Sequence, residues 1–187
     1  MVKHGNLTNQ KNYIFDLIKT DQFFRPTAMR KVLILFAHPR LEKSIANAAL
    51  LMGIPRHNAI TFHDLYESYP DFNVDIKFEK SLLLSHDVII WHHPFYWYSA
   101  PPLLKQWIDL VLEYGWAYGK GGDKLQGKLI FNVLTSGGKK EVYHAEGRNR
   151  YTVREFLRPF EQTARLCHMN YLPPFVGMVR IVWPPRI

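Results

Sequence analysis

Apolar residues along this chain follow two alternating patterns. Short continuous runs bounded by polar residues alternate with segments in which apolar positions recur every three or four residues. Residues 31–37 (KVLILFA) form a run of the first kind, as expected of a strand buried on both faces. Residues 87–92 and 129–134 repeat it, and shorter runs at 59–62 and 171–176 bring the predicted strands to five. Between them, Ser44 is a good N-cap for a helix carrying Ala46, Ala48, Ala49, Leu50 and Leu51. Residues 74–84 read as a second helix. Residues 101–114 set Leu103, Leu104, Trp107, Ile108, Val111 and Leu112 on one face, with Pro101 and Pro102 tolerated in the first turn. Residues 153–167 predict a last helix, kinked at Pro159. Strands separated by helices argue for right-handed βαβ units and a parallel sheet. Five strands at this spacing fit an α/β three-layer sandwich of doubly wound order 2-1-3-4-5, with a ligand beyond the carboxyl ends of strands one and three.

The first 28 residues stand apart. Tyr13, Ile14, Leu17 and Ile18 have helical spacing, and the Arg25-Pro26 pair ends that segment. Met29 immediately precedes the first strong strand, so residues 1–28 read as an appendage or an upstream translation start, with no catalytic role assigned.

The loops at the predicted strand ends carry the candidate chemistry. After strand one come His38-Pro39 and then Ser44-Ile45-Ala46-Asn47 at a helix start, where free N–H groups, a hydroxyl and an imidazole make a phosphate cradle. No Gly-rich dinucleotide or P-loop fingerprint is present, so one terminal phosphate fits better than a pyrophosphate. Ser44 acting only as a helix cap is the plainer alternative. After strand three, Phe95-Tyr96-Trp97-Tyr98 places four aromatics in a row at the mouth of the crevice, suited to a planar heteroaromatic ring or to a dimer interface. After strand four, Thr135-Ser136-Gly137-Gly138 lets backbone N–H groups approach a ligand, or simply makes a tight turn. Residues 115–122 (GWAYGKGG) suggest a mobile, glycine-rich loop whose aromatics cover a flat substrate, or a plain surface connection.

Composition narrows the class. The 187 residues are 47% hydrophobic and 21% charged, ordinary for a soluble globular domain. One cysteine, Cys167, excludes an internal disulfide, and no apolar run reaches the roughly 20 residues of a membrane helix. No signal-peptide core is visible, so a cytoplasmic location is expected. The net charge of +8 suits phosphates and dinucleotides, and the basic residues are scattered rather than gathered into a nucleic-acid-binding run. His92-His93 lack a third ligand at recognisable spacing, so no metal is expected.

Taken together, the motifs resemble those of the flavodoxin-like NAD(P)H:quinone oxidoreductases, in particular the ancillary proteins of glutathione-regulated potassium-efflux systems and related general-stress reductases. The likeness rests on Ala37-His38-Pro39, Ser44-x-x-Asn47, His63-Asp64-Leu65-Tyr66 and Tyr69-Pro70-Asp71-Phe72. It continues through His93-Pro94-x-x-Trp97-Tyr98, Pro101-Pro102-Leu103-Leu104-Lys105-x-Trp107-Ile108-Asp109, Gly115-Trp116-Ala117-Tyr118-Gly119, Thr135-x-Gly137-Gly138 and Leu172-Pro173-Pro174-Phe175.

The resemblance implies a flavodoxin-like fold over residues 29–187 and FMN as cofactor, FAD fitting less well. His38, Ser44, Ile45, Ala46 and Asn47 would hold the flavin phosphate. Phe95, Tyr96, Trp97 and Tyr98 would line the ring system, and Thr135, Ser136, Gly137 and Gly138 would bond its polar edge. Tyr143 would donate near flavin O2 as the catalytic tyrosine. Trp116 and Tyr118 would cover the substrate, in the partner subunit's site of a homodimer. The implied reaction is ping-pong: NAD(P)H gives hydride to the flavin and leaves, and a quinone-like acceptor takes its place. The alternative implied role is regulatory, a peripheral partner of a membrane potassium-efflux protein with flavin binding secondary. Three departures accompany the likeness. Asn149 stands near a histidine of long eukaryotic relatives, with His144 and Arg148 as nearby substitutes; Tyr96 replaces a glutamine; and residues 182–187 (VWPPRI) stand where relatives continue into a final helix. A one-electron carrier would be expected to have an acidic surface, and a phosphoacceptor domain an aspartate where this chain has His92-His93.

Overall fold

A computed structural model describes Lys3–His4, Asn12 and residues 29–178. The central strand β2 (Val32–Phe36) is buried at every position, as its unbroken apolar run requires. It pairs with β3 (Ile60–Asp64) on one side and β4 (Val88–Pro94) on the other. Beyond β4 lies β5 (Leu129–Ser136), followed by β7 (Phe175–Met178), every pair being parallel. The path β3-β2-β4-β5-β7 is the predicted 2-1-3-4-5 order. The register sets Phe36 beside His92, and Pro94 beside Thr135, so three carboxyl ends finish close together.

Among the described residues six α-helices accompany the strands: α1 (Ile45–Met52), α2 (Leu65–Ser68), α3 (Ile76–Ser85), α4 (Pro102–Val111), α5 (Val153–Phe156) and α6 (Arg158–Leu166). Alternation along the strands divides the core in two. Leu33, Leu35, Ile89, Trp91, Ile130 and Leu134 face one layer and meet Leu83, Trp107, Phe160 and Ala164 from α3, α4 and α6. Val32, Ile34, Val88, Ile90, Phe131 and Phe175 face the other, where α1 supplies Leu50.

Two predicted elements are split, both at proline. The last strand begins as β6 (Asn170–Tyr171), paired to the start of β5, and resumes as β7 opposite Val133. Pro173 and Pro174 lie between, and neither has an N–H to give the ladder. The last helix divides into α5 and α6 around Leu157, just before Pro159. In the leader, β1 (Lys3–His4) pairs with β7, opposite Phe175 and Val176, and adds a sixth strand along the sheet path. The helix expected around residues 13–18 and the terminal segment 182–187 lie outside the described residues.

One buried charge organises the α3–α4 side. Glu79 of α3 has no exposed surface and receives three groups. Tyr69 O–H donates to Oε1 and Trp107 Nε1–H to Oε2, at 2.6 and 2.7 Å, while His63 Nε2 lies 2.6 Å from Oε1. Burial, and after it the hydrogen bond to this carboxylate, hold the Tyr69 hydroxyl well above the ordinary phenol range. Cys167 is packed in the same core, and burial pushes its thiol up to about 11, consistent with a structural rather than reactive cysteine.

Candidate functional site

Two adjoining cavities open where β2, β4 and β5 end. The first, roughly 450 Å³, is walled by His38, Arg40 and Lys43 after β2, and by Ser44, Ile45, Ala46 and Asn47 at the start of α1. Pro94, Phe95 and Tyr96 close it from β4, and Thr135, Ser136 and Gly137 from β5. The second, roughly 600 Å³, shares Phe95, Ser136 and Gly137 and adds Trp97, Tyr98, Gly138 and Tyr143. Lys139, Val142, Arg148 and Asn149 complete it. Both fall within the usual size of small-ligand sites.

The first wall is fixed by α1's cap. Ser44 Oγ accepts from Asn47 N–H at 3.2 Å and from Asn47 Nδ2 at 2.9 Å. The same amide nitrogen donates to Thr135 Oγ1 at 2.9 Å, tying the loop after β2 to the end of β5. Asn47 Oδ1 is left buried with no partner among the described residues, an acceptor available to a ligand hydroxyl. Helix geometry leaves the N–H groups of Ile45 and Ala46 without intrahelical partners, and no acidic residue sits in that first turn. His38 Nδ1 accepts from Arg40 N–H at 3.1 Å, which puts the ring proton on Nε2. Burial lowers the His38 pKa, opposed by the charge of Glu42 and a backbone hydrogen bond, so the ring acts as a neutral donor.

The second wall stores strain. Tyr96 N–H donates to Ser99 O at 3.1 Å and Ser99 N–H returns to Tyr96 O at 2.9 Å, closing a two-residue turn. Its central residues, Trp97 and Tyr98, have φ of 48° and 64°. Two successive left-handed residues define a type I′ turn, which normally takes Asn-Gly. Here it carries two aromatics. Tyr98 stacks on Phe156 at 4.9 Å, whereas Trp97 is 93% exposed and has little packing to offset its backbone cost. Trp97→Asn is therefore expected to raise stability by about 1 kcal/mol, roughly 2–4 °C in Tm for a domain of this size. The same change is expected to weaken planar-ligand binding by at least about tenfold. Melting and flavin titration of the one variant check both; a lower Tm with full affinity would refute the account.

The third wall positions two hydroxyls. Gly138 N–H donates to Ser136 Oγ at 3.1 Å, and Ser136 Oγ lies 2.9 Å from the Tyr143 hydroxyl. A Cβ at position 138 would stand 3.0 Å from the Tyr143 ring and hydroxyl, so glycine is what lets the tyrosine lie against this strand end. One of the two hydroxyl hydrogens serves the Ser136–Tyr143 bond. The other is left for a ligand oxygen.

All thirteen cofactor-binding residues expected from the sequence, and Tyr143, line these two cavities. Trp116 and Tyr118 do not. Trp116 lies under the Lys80 ammonium at 4.8 Å, and Tyr118 meets Tyr114 edge-on at 5.8 Å, both packed against the α3–α4 side of their own chain. Their loop is tied down more firmly than its glycines suggested. Gly115 N–H bonds Tyr118 O at 2.8 Å, Lys124 N–H bonds Trp116 O at 3.2 Å, and Ala117 is fully buried. A Cβ on Gly122 would meet the Tyr118 backbone at 2.1 Å, so this glycine serves close packing.

The paired histidines turn to opposite faces. His93 Nε2 accepts from Asn132 Nδ2 at 2.9 Å, Asn132 Oδ1 accepts from Tyr171 O–H at 2.6 Å, and the remaining His93 proton, on Nδ1, goes to Pro94 O at 2.9 Å. His92 packs edge-on against Phe36 at 5.1 Å, and neither ring nitrogen has a partner among the described residues. Of the groups around the family histidine position, Arg148 and Asn149 line the second cavity. His144 is exposed and meets Glu146 at 3.2 Å. The lining cations Arg40, Lys43 and Lys139 went unread in the sequence, because lone basic residues in loops carry no spacing signal.

The chain belongs to the family described as having a flavodoxin-like fold, whose model matches residues 30–180. The glutathione-regulated potassium-efflux system ancillary protein KefG of Salmonella paratyphi B is 48% identical over 156 residues, 83% of each chain. General stress protein 14 of Treponema denticola, solved in complex with FMN, aligns at 40% identity and TM-score 0.77 over 81% of this chain and 87% of that one. An NADPH-quinone reductase from P. pentosaceus aligns at 34% identity and TM-score 0.74, over 83% and 89%. A chain described as a thermophilic tryptophan halogenase from Streptomycin violaceusniger aligns at 42% identity and TM-score 0.78, over 81% and 88%. Among the described residues, no helix is long and apolar enough to cross a membrane.

Proposed function

We propose that this protein is an FMN-dependent NAD(P)H:quinone oxidoreductase. The observation that carries the reading is the pair of adjoining cavities, cationic at the α1 end and hydroxyl-lined at the Tyr143 end, with an aromatic turn between them. The residues present fit FMN. Arg40, Lys43, His38 and the α1 start suit one phosphate; the unpartnered Asn47 Oδ1 suits a ribityl hydroxyl; Ser136 and Tyr143 suit a carbonyl edge. A single phosphate position beside α1 favours FMN over FAD. When bound, the flavin supplies two-electron hydride chemistry between nicotinamide and quinone. The protein's share is to orient the ring through Phe95, Tyr96, Trp97 and Tyr98, and to present the Tyr143 hydroxyl to developing negative charge.

The reading includes a homodimer. Tyr114 and Leu110, exposed beside the loop of Trp116 and Tyr118, are the apolar surface such an interface would cover. A cytoplasmic location goes with it. Likeness to a chain described as a halogenase is not carried over, since the FMN-bound neighbour and the quinone reductase agree with the site built here.

A visible spectrum of the purified, FMN-supplemented protein tests the proposal. Flavin bands bleached anaerobically by a reduced nicotinamide and restored by a quinone are expected; a colourless protein without affinity for FMN would refute it. The KefG likeness favours a second role, as an ancillary subunit of a glutathione-gated potassium-efflux system. Channel activation by a Tyr143→Phe variant that holds FMN but has lost reductase activity would establish regulation as the main role.

A further inference from the structure

The second cavity is wider than the first and carries two cations, Lys139 and Arg148, with no carboxylate among its described lining residues. Neither cation has an ion pair or hydrogen bond among the described residues, whereas Arg154 and Arg165 nearby converge on Glu161. The loop that presents Arg148 is a built one. Asn149 N–H bonds Val142 O at 3.0 Å, Gly147 N–H bonds His144 O at 3.0 Å, and Arg150 N–H bonds Gly147 O at 3.0 Å. A side chain at Gly147 would stand 2.6 Å from Val142 O, so the turn requires glycine there. Tyr98 O–H reaches Asn149 Oδ1 at 3.4 Å, which ties this loop to the aromatic turn. Of the acids nearest in sequence, Glu146 meets His144, and Glu141 is exposed on the short 3-10 turn after Lys139 and does not line the cavity.

The first cavity already has its own cations, Arg40 and Lys43, for a phosphate beside α1. Lys139 and Arg148 line the other cavity, beside the aromatic turn, and so offer a second anionic group a place apart from α1, on the hydride donor that must meet the flavin there. We infer that Lys139 and Arg148 form a phosphate subsite that selects a 2′-phosphorylated hydride donor, so that NADPH is used in preference to NADH. The inference rests on the flavin reading and names the donor that its site takes. A phosphate dianion is the ligand two unpaired, solvent-reaching cations bind best, and the 2′-phosphate is the only group by which the two nicotinamides differ.

The test uses the flavin-loaded protein and its Lys139→Ser/Arg148→Ser double variant. Two readouts are taken: kcat/KM with NADPH and NADH, and calorimetric binding of 2′,5′-ADP against 5′-AMP, which differ by the 2′-phosphate. The wild type is expected to favour NADPH, and 2′,5′-ADP, on the order of tenfold or more. In the double variant both ratios should fall below about threefold, with the kinetic ratio read per flavin bound. Equal use of the two nicotinamides by the wild type, or undiminished preference in the variant, would overturn the inference. So would variants that change only the KM of an anionic quinone. Flavin bound and reducible without discrimination sinks the subsite alone. Discrimination between 2′,5′-ADP and 5′-AMP without flavin binding leaves the subsite standing and sinks the oxidoreductase.

Discussion

Between pH 8 and pH 5 the folding stability of this protein is expected to fall by roughly 4 kcal/mol, through two histidines alone. His92 and His93 are wholly buried, and loss of solvent pushes their pKa values down from 6.5 to about 3 and about 4. The neighbouring imidazoles add to the effect at His92, while the carbonyl of Pro94 works against it at His93. In the unfolded chain both rings take a proton near pH 6.5. Below that pH the unfolded state binds more protons than the folded one, so stability present above pH 6.5 drains away as the pH falls toward the folded values. The slope approaches about 1.4 kcal/mol per pH unit for each ring. Against a typical stability of about 5–15 kcal/mol this is a large fraction. Urea titrations from pH 8 to pH 5, above the range where carboxylates dominate, read it directly. His92→Phe should roughly halve the slope, and because neither His92 nitrogen has a partner among the described residues it should cost little at pH 8. A slope unchanged in that variant would show that the protons go elsewhere.

The largest single-residue loss is expected at Glu79. Replacing it with alanine leaves the Tyr69 hydroxyl, the Trp107 N–H and the His63 ring facing a void where a carboxylate stood. Removing one partner from a buried charged network typically costs about 3–5 kcal/mol. Glu79→Gln is a sharper probe. It keeps one acceptor but turns the other position into a donor, aimed at either the Trp107 N–H or the Tyr69 hydroxyl. Its cost should be smaller than alanine's but still exceed about 1 kcal/mol. Denaturant midpoints measure both, and near-ultraviolet dichroism of Trp107 reports whether the packing survives. An alanine variant within about 1 kcal/mol of wild type would mean that the network is not a stabilising feature.

Elements held together by local pattern were legible in the sequence, and those made by distant encounters were not. The apolar run of residues 32–36 announced a central strand because burial on both faces leaves no position for a polar residue. The site loops could be placed because a parallel doubly wound sheet puts its ligand at one rim, and chain order then names the loops. Pro173-Pro174 was in plain view, but nothing local said that the strand would resume after it. Glu79 looked like an ordinary helix carboxylate; its three partners come from β3, the segment after α2, and α4. The left-handed turn at Trp97 and Tyr98 was hidden for the opposite reason. Sequence signals for such turns rely on Asn and Gly, and this one has neither. Trp116 and Tyr118 read as a cover for the partner subunit's substrate, and within their own chain they meet Lys80 and Tyr114, contacts no local pattern announced.

The pairing of Lys3 and His4 with Phe175 and Val176 has a bearing on how the molecule is made. Two residues of one edge strand are matched with partners 172 positions further along the chain. The ordinary advantage of vectorial synthesis, early completion of N-terminal structure, is therefore denied to this seam. The interior sheet can form as successive strands emerge, but the β1–β7 margin must wait for β7, a contact of very high sequence separation. Until then the β7 side is open to strands from neighbouring nascent chains. Slow translation between β5 and β7 would prolong that exposure, and rapid translation would shorten it.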